Sequence, residues 1–210
     1  MKILLRWIGL EVLFSANRSL EEERIMKRPF FVKSFLAIAI LCLAILPARA
    51  ADDLDPENTL YLDLQYGRVV IELYPRVAPR HVNRIKELVR QKFYDGIKFH
   101  RVIEGFMAQT GDPTGTGRGG SGKKIRAEFS NIPHDRGIVS MARSNNINSA
   151  DSQFFIVMKN YYSLDGKYTV FGKIASGMEY VDQIKKGYGK GGTVRNPDII
   201  LSLRVAADVK

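Results

Sequence analysis

The chain has 210 residues, 45% of them hydrophobic and 26% charged, which is enough for one domain with a packed core of its own. Its formal net charge is +10, but residues 1–50 hold eight of the 32 basic and four of the 22 acidic residues, which leaves 24 against 18 beyond them. The sequence contains neither a block of five or six like charges nor a nucleic-acid-binding module, so we expect no nucleic acid as a partner.

Residues 26–50 have the pattern of a secretory signal peptide. Three basic residues open the segment, an unbroken apolar run of twelve residues follows at 35–46, and an Ala-Arg-Ala site ends it at Ala50. A membrane anchor is the alternative, but a spanning helix needs about 20 apolar residues and this run is shorter. We therefore predict export to the periplasm, with no stable membrane anchor after signal cleavage.

Residues 1–25 precede the predicted signal peptide, although a signal peptide normally opens a chain. Either translation starts at Met26 and the reading frame was assigned too far upstream, or the protein has a real N-terminal extension. The pattern favours a start at Met26. The only cysteine, Cys42, lies in the apolar run, so the exported chain would have no disulfide to stabilise it. Residues 51–58 are acidic and polar and predict a flexible leader before a folded domain at 59–210.

A β-hairpin and a helix are predicted at the start of this domain. Apolar and β-branched residues at 60–64 and 69–73 predict two strands, with a turn signal at Tyr66-Gly67 between them. Pro79 suits the first turn of a helix. That helix would place three apolar side chains on one face, namely Val82, Ile85 and Val89.

Residues 99–111 predict two further strands, separated by a short turn. If the first strand begins at Phe99, then Phe99 and Arg101 lie on the same face, because side chains alternate along a strand. Met107 and Gln109 share a face of the second strand in the same way. These four side chains would then line one patch, although a hairpin that contains Met and Phe more often belongs to a core.

Residues 115–124 read GTGRGGSGKK, which fits G-x-G-x-x-G and nearly fits a P-loop. A dinucleotide fingerprint directly follows a strand and opens a helix, so that the phosphates meet the helix N-terminus. Here Asp112-Pro113-Thr114 ends the strand before the first glycine, and no apolar periodicity follows the last one. A P-loop also needs Ser or Thr where Lys124 stands. We interpret the stretch as a mobile loop rimmed by Arg118, Lys123 and Lys124, and we expect no nucleotide.

Short strands are predicted at 138–142, 154–158 and 168–172, and a closing strand at 199–205, from their β-branched and aromatic residues. A second, short helix is indicated at 178–184 by its apolar spacing. Two helices among many short strands do not alternate as βαβ units do. The pattern favours one mainly β domain, an antiparallel barrel or sandwich with helices packed on it.

Four segments share the order and spacing of one known family: FHRVIEGFMAQTGD at 99–112, SMAR at 140–143, SQFFIV at 152–157 and LDGKYTVFG at 164–172. At these residues the chain resembles the cyclophilins, which are peptidyl-prolyl cis–trans isomerases, over roughly residues 59–205. The resemblance implies a mainly β fold, a closed eight-stranded antiparallel β-barrel capped by two α-helices. It also implies acceleration of Xaa-Pro bond rotation in proline-containing polypeptides during protein folding.

The resemblance also assigns site residues. Arg101 matches the family's catalytic arginine, and Gln109 matches the residue that orients it. Ala142 and Arg143 match the strand edge whose backbone pairs with the bound peptide, and Gln153 matches a polar contact beside it. The residues that match the walls of the proline pocket are Phe106, Met107, Phe155 and Leu164, with Tyr168 where the family more often has histidine.

Two departures from the family pattern affect ligand binding. The family often has asparagine at the position of Arg143, but a contact made by the backbone survives that change. Ser163 replaces a tryptophan that contributes to cyclosporin binding. We therefore predict intact isomerisation with weak or no cyclosporin binding.

The residue types suit a reaction that breaks no bond. An Xaa-Pro amide resists rotation by about 18–20 kcal/mol because its nitrogen shares a lone pair with the carbonyl. A guanidinium is permanently charged and presents fixed donors, so Arg101 can hold the carbonyl and meet the nitrogen as resonance fades. No nucleophile, metal or cofactor is needed, and we expect a monomer that acts on unfolded or partly folded exported proteins.

Two alternatives are weighed against this interpretation. A proline-peptide-binding module or holdase chaperone of the same fold, without significant turnover, is the alternative function, and the retained Arg101 and Gln109 favour the enzyme.

His100 lies beside Arg101, but the reaction transfers no proton, so we interpret it as a hydrogen-bonded structural residue. Three scattered histidines without cysteines do not predict a metal site.

Overall fold

Eight antiparallel strands and two α-helices build the described part of the chain. The computed structural model describes residues 54–209, so the predicted N-terminal extension and signal peptide lie outside the described residues. The strands are β1 (Thr59–Leu64), β2 (Gly67–Leu73), β3 (Arg101–Ile103), β4 (Met107–Thr110), β5 (Ile138–Met141), β6 (Phe154–Val157), β7 (Val170–Ser176) and β8 (Ser202–Val205). The helices are α1 (Pro79–Arg90) and α2 (Met178–Gln183), with short 3-10 helices at Pro56–Asn58, Tyr162–Leu164 and Ala206–Asp208. Within residues 54–209, no helix has the length and apolar character needed to cross a membrane.

The strands form one curled antiparallel sheet in the order β3-β4-β6-β5-β7-β2-β1-β8. This confirms the predicted eight antiparallel strands and two helices, but not a closed barrel. The edge strands β3 and β8 share no ladder in the described residues, because the segments 96–99 and 198–200 lie between them as irregular chain. These segments are linked by a bridge between Lys98 and Ile199, and the N–H of Phe99 donates to the carbonyl of Asp198 at 2.9 Å.

The hairpin and the first helix form where the sequence predicts them. β1 and β2 pair through a tight turn that ends at Gly67. α1 begins at Pro79, and its first turn has no side-chain cap of its own. The carboxylate of Glu128 takes that role, because it accepts hydrogen bonds from the N–H groups of Arg80 and His81, both at 3.1 Å.

Several strand boundaries differ from the sequence-based expectation. β7 begins at Val170 rather than 168 and extends to Ser176, and β8 begins only at Ser202. Phe99 precedes β3 and is fully buried in the main core, so it does not share a face with Arg101. The alternation of side chains that the prediction relied on applies only inside a strand, and β3 is three residues long.

The end of the predicted leader is ordered, in contrast to the expectation of a flexible segment at 51–58. Pro56–Asn58 form a 3-10 helix, and Asp55 accepts a hydrogen bond from the N–H of Glu57 at 3.0 Å. The carboxylate of Glu57 binds Lys86 at 2.8 Å and Arg90 at 2.7 Å. Two cations on α1 therefore hold a segment whose composition alone predicts disorder.

Two apolar clusters lie on opposite faces of the sheet, because side chains alternate along each strand. Along β6, Phe154 and Ile156 belong to the main core, to which α1 and α2 contribute, whereas Phe155 and Val157 belong to a second cluster. We call this second group the pocket cluster. Its buried members are Met107, Ile138, Phe155, Val157, Leu164 and Val170, none of which comes from α1 or α2.

Candidate active site

A hollow of about 400 Å³ opens over the pocket cluster, and we call it the central hollow. Nine of the ten predicted site residues line it: Arg101, Phe106, Met107, Gln109, Ala142, Arg143, Phe155, Leu164 and Tyr168. The tenth, Gln153, lines an adjoining side hollow of about 370 Å³. The other residues around the central hollow are His100, Gly115, Thr116, Gly117 and Thr193.

Arg101 is held from the sheet side by a series of amide side chains. It lies opposite Gln109 in the β3–β4 ladder, and its Nη1 donates to Oε1 of Gln109 at 3.1 Å. Nε2 of Gln109 donates to Oε1 of Gln153 at 2.9 Å. Nε2 of Gln153 in turn donates to the carbonyls of Gly117 and Gly119, at 3.1 and 2.8 Å. The arginine is thereby connected to the glycine-rich loop.

A second contact of Arg101 comes from a loop that the sequence analysis did not connect with the site. Nε of Arg101 donates to the carbonyl of Gly191 at 3.1 Å. The loop extends the sheet beside β3, since the N–H of Val102 donates to Gly192 and that of Gly187 donates to Val102, at 2.8 and 2.9 Å. Its signal in the sequence is GYGKGG at 187–192. A side chain at Gly192, which has φ +69°, would collide with Ile103.

The walls of the central hollow are apolar and well buried. Met107, Phe155 and Leu164 are at most 9% exposed. The ring of Phe155 contacts Tyr168 edge to face, with centroids 5.8 Å apart. At the rim, Phe106 packs on the exposed ring of Tyr161 with centroids 4.3 Å apart. A proline ring entering the hollow would therefore meet apolar surface on several sides.

The strand edge beside the hollow offers backbone groups to a peptide. The N–H of Ala142 donates to the carbonyl of Gln153 at 2.9 Å, whereas the N–H of Arg143 has no hydrogen-bond partner within residues 54–209. The guanidinium of Arg143 lies over the ring of Tyr168, 4.6 Å from its centroid, and donates to the carbonyl of Lys167 at 2.9 Å. The side chain of Arg143 therefore braces one wall of the hollow and leaves its backbone available.

A buried Asp–His–Ser arrangement lies behind the wall, but its geometry is structural. Nδ1 of His134 is 2.8 Å from Asp165, and Nε2 is 3.1 Å from the hydroxyl of Ser140. That hydroxyl donates to the carbonyl of Thr169 at 2.9 Å and is fully buried, so it is no accessible nucleophile. The imidazole of His134 instead stacks on Phe155, with centroids 6.3 Å apart, and supports the wall.

The other two histidines differ in their partners. Nδ1 of His81 lies 2.7 Å from the carboxylate of Glu128. His100 is 7% exposed, and its ring nitrogens make no well-aligned hydrogen bond in the described residues; the backbone carbonyl of Lys98 is a polar group that acts on the ring. Its ring packs under Gly117 as an apolar surface, and burial lowers its pKa. No group of three metal-ligating side chains occurs in residues 54–209.

The glycine-rich stretch is wrapped around two carboxylates of the protein itself. Asp112 accepts hydrogen bonds from the N–H groups of Thr114 and Gly117, at 2.8 and 2.6 Å. Asp151 accepts from those of Ser121 and Gly122, at 2.7 and 3.1 Å. The N–H groups that a bound phosphate would need are therefore already donated, which agrees with a turn and not with a nucleotide cradle.

The same carboxylates explain why glycine is needed at two positions of the loop, and their own pKa values are lowered. A Cβ at Gly119 would collide with the carboxylate of Asp112, and one at Gly120 would lie 2.8 Å from Oδ2 of Asp151. Burial raises the pKa of Asp112, but hydrogen bonds from Thr114 and the glycine N–H groups outweigh it and hold that pKa at about 2. The balance is the same for Asp151, whose pKa is lowered.

Comparison with protein families and curated proteins gives matches over the whole sheet. The family described as "Cyclophilin type peptidyl-prolyl cis-trans isomerase/CLD" matches residues 59–205, which include all eight strands. A probable peptidyl-prolyl cis-trans isomerase of Brucella suis is 48% identical over 194 residues, with 86% of this chain and 99% of that protein covered. A human peptidyl-prolyl cis-trans isomerase-like 3 is 46% identical over 133 residues, with 61% and 81% covered.

Solved structures show the same similarity. A cyclophilin from Hirschia baltica superposes with a TM-score of 0.67 at 29% identity, covering 75% of this chain and 77% of that chain. A cyclophilin type peptidyl-prolyl cis-trans isomerase from Cryptosporidium parvum, crystallised in the presence of the dipeptide Ala-Pro, superposes with a TM-score of 0.65 at 31% identity, covering 70% and 98%.

Proposed function

The chain belongs to the cyclophilin-type peptidyl-prolyl cis–trans isomerases, and we propose that Arg101 is the residue that carries its catalysis. The enzyme rotates Xaa-Pro bonds in proline-containing peptides, against a barrier of about 18–20 kcal/mol. Rotation breaks no bond, so the site has to bind the twisted amide more tightly than the planar one. Twisting makes the nitrogen basic, because its lone pair no longer conjugates with the carbonyl.

Arg101 is positioned before a peptide arrives, and this observation carries the proposal. A guanidinium has five N–H donors, of which Nη1 donates to Gln109 and Nε to Gly191. The remaining donors are left for the central hollow that Arg101 lines. There they hold the prolyl carbonyl and meet the nitrogen as it becomes pyramidal. Little reorganisation is needed during rotation, because the side chain is fixed on two sides.

The apolar walls strengthen this interaction. Met107, Phe155 and Leu164 exclude water from the proline ring, and a charge–dipole contact is stronger where the local dielectric constant is low. The free N–H of Arg143 would hold the peptide backbone while the residue before proline turns. Loss of one fixed donor of this kind costs about 2.7–4 kcal/mol of transition-state stabilisation in other enzymes.

The test is the replacement of Arg101 in the chain beginning at Ala51. For Arg101→Ala we expect kcat/KM for an Ala-Pro peptide, measured by exchange NMR, to fall about 100- to 1000-fold, which corresponds to the loss of one fixed donor. Arg101→Lys keeps the charge but loses the fork that binds Gln109 and Gly191, so an intermediate rate is expected. Arg76→Ala is the matched control, because Arg76 is exposed and lines neither the central nor the side hollow.

The result separates the enzyme from a binding module of the same fold. Circular dichroism should show equal folding of all variants, and the Ala-Pro peptide should still bind Arg101→Ala. Equal rates for the wild type and Arg101→Ala would contradict the assigned role of Arg101. Peptide binding without turnover by the wild type would instead support the holdase alternative.

The place of action is also proposed, as the periplasm. The support is the sequence pattern of residues 26–50, which has the basic start, apolar run and Ala-Arg-Ala site of a cleavable signal peptide. N-terminal sequencing of protein recovered from a periplasmic extract should give a mature start at Ala51. A cytoplasmic protein that retains residues 26–50 would contradict the proposal.

Weak cyclosporin binding is proposed from the exposed Ser163, which stands where the family has tryptophan. Ser163→Trp should tighten cyclosporin binding about tenfold, because a buried aromatic contact contributes roughly 0.5–1.5 kcal/mol.

We also propose that the links between 96–99 and 198–200 close the barrel of a monomer in solution. Slow amide exchange at Ile200, whose N–H donates to Ile97 at 2.9 Å, and a monomeric sedimentation coefficient would support this.

A further inference from the structure

We propose that a basic groove beside the site binds an acidic segment of the polypeptide whose proline is isomerised. This groove lies between α1 and residues 123–126 and has a volume of about 440 Å³. It is lined by Arg80, Asn83, Arg84, Glu87, Lys123, Lys124, Ile125 and Arg126, five of which are cations and one an anion. The inference rests on the proposed function, because it concerns the flank of the same substrate.

The groove adjoins the side hollow, which in turn adjoins the central hollow. The central and side hollows have Gln109, Gly117, Ala142 and Arg143 in common. The side hollow and the basic groove share Lys124. An extended peptide advances about 3.3 Å per residue, so we place the acidic segment several residues away from the proline, on the side of Lys124.

Three of the five cations of the groove are paired with carboxylates, and two are not. Glu128 lies 3.9 Å from Arg80 and 2.7 Å from His81, Asp151 pairs with Lys124 at 3.2 Å, and Glu87 pairs with Arg84 at 2.8 Å. Glu128 and Asp151 are only 11% and 6% exposed in their side chains. Lys123 and Arg126 are exposed, and neither has a salt bridge within 4.0 Å in residues 54–209. These two side chains can therefore bind an incoming carboxylate without first breaking an ion pair of the protein.

The floor of the groove is a buried guanidinium. The side chain of Arg84 is 10% exposed, its Nη2 donates to the hydroxyl of Ser121 at 2.8 Å, and its Nε has no partner within the described residues. Its charge is offset by Glu87, whose carboxylate lies 2.8 Å away, so Arg84 forms a fixed polar wall, and Lys123 and Arg126 supply the unpaired positive charge.

A carboxylate-bearing peptide fits this groove better than a phosphate ligand does. Asp112 and Asp151 already accept hydrogen bonds from four backbone N–H groups of the neighbouring glycine-rich loop, so these groups are not available to a phosphate. Glu and Asp side chains need only the flexible cations of the rim. Because these cations lie beside the proposed path of the bound polypeptide, they would favour substrates that carry acidic residues near the proline.

The test compares acidic and neutral flanks in the same peptide. Each peptide carries a central Ala-Pro, with a Glu pair placed two to six positions before the proline or after it, and with Gln at the same positions as the neutral reference. At low salt, the best-placed Glu pair should lower KM about 3- to 10-fold relative to Gln, as two exposed ion pairs allow, with kcat unchanged. About 0.5 M salt should remove the difference, because screening is then nearly complete within a few ångströms.

A pair of charge-matched variants locates the effect. Lys123→Glu/Arg126→Glu should abolish the preference for Glu while the neutral peptides are turned over as before. Arg76→Glu/Lys92→Glu makes the same change in net charge at exposed residues outside the groove and should retain the preference. Lys123→Gln/Arg126→Gln repeats the first test without adding negative charge.

The outcomes distinguish this inference from the proposed function. Equal KM for Glu and Gln peptides, or a preference lost equally in both charge-reversed variants, would overturn the groove while leaving the isomerase intact. Absence of turnover of every peptide by the wild type would contradict the isomerase function on which the inference rests. A preference that depends on Glu position and on Lys123 and Arg126 alone would establish the groove as a substrate-selecting surface.

Discussion

The main core and the pocket cluster are built from alternate residues of the same strands. The protein's own side chains fill the main core, whereas the pocket cluster faces an open hollow. Phe154, in the main core, is 1% exposed and meets Tyr94 and Phe171 edge to face, with centroids 5.6 and 6.1 Å away. Phe155, the next residue, is 5% exposed and forms part of the wall of the central hollow. Both rings have two aromatic neighbours, but only the ring of Phe155 also faces a hollow that a ligand ring could enter.

The difference shows how one sheet can supply both stability and a site. Helices α1 and α2 contribute Val82 and Val181 to the main core, and neither helix contributes to the pocket cluster. The open face is instead bordered by loops that are held by polar contacts, such as those of Asp112 and Gly191. We therefore expect substitutions on the two faces to separate stability from activity.

Replacement of the adjacent phenylalanines should break this comparison most clearly. Phe154→Ala should lower the free energy of unfolding by about 3–5 kcal/mol, because it leaves a cavity in a closed core. Phe155→Ala should cost less stability, since its cavity opens to solvent, and should lower kcat/KM by at least tenfold by removing a pocket wall. Chemical denaturation and the Ala-Pro exchange assay on both variants check these expectations. Equal stability losses would show that the two faces are not energetically distinct.

The loop that rims the hollow should respond to pH where the two apolar clusters do not. Hydrogen bonds hold the pKa of Asp112 at about 2, below the ordinary value of about 3.9. A depressed pKa contributes stability that is present above about pH 4 and is lost as the pH falls through 4 toward 2. For Asp112→Asn we expect about 2 kcal/mol lower stability at pH 7 and a smaller loss on acidification.

The control for this prediction is a half-exposed carboxylate on α2. Asp182 pairs with Arg136 at the surface, so Asp182→Asn should change stability by less than about 1 kcal/mol. Denaturation curves recorded from pH 7 to pH 2 supply the measurement. If Asp112→Asn retains the full acid sensitivity of the wild type, another group is responsible for it.

Local patterns predicted the contacts within the hairpins but not those between distant segments. The partnership of Arg101 with Gln109 follows from the β3–β4 hairpin, whose residues are eight apart. The contact of Arg101 with Gly191 joins residues 90 apart, and no periodicity in either segment indicates it. Phe99 was placed on the wrong face because the start of β3 depends on the irregular links to 198–200.

The same limit applies to the edges of the fold. Glu57 was assigned to a flexible leader, since its order depends on Lys86 and Arg90, which the leader's own composition does not contain. The resemblance to cyclophilins supplied the site residues, and the fold brings nine of them to one hollow. It did not indicate the carboxylates that hold the glycine-rich loop, because Asp112 and Asp151 read as ordinary loop residues.

Gln153 connects the sheet to the glycine-rich loop, and we expect its replacement to have a moderate effect on kcat. It links Gln109 to the glycine carbonyls, so Gln153→Ala should lower kcat about 3- to 10-fold by loosening Arg101, with KM and stability little changed. Gln153→Glu can still accept from Gln109 but cannot donate to Gly119, and it should recover part of kcat. Gln183→Ala, on α2, is the control. A loss confined to KM would argue that Gln153 contacts the peptide and does not position Arg101.

The smallest expected effect lies at the outer limit of the pocket cluster, at Tyr161. Its ring is 42% exposed and supports Phe106 at a centroid distance of 4.3 Å. Tyr161→Ala should raise KM about two- to fivefold with kcat unchanged, because an aromatic pair contributes about 0.5–1 kcal/mol. Tyr162→Ala is the matched control, since Tyr162 is 57% exposed and no aromatic ring in the described residues pairs with it. An equal rise in both variants would mean that exposed aromatic surface in general, and not the support of Phe106, determines how tightly the peptide is held at this edge.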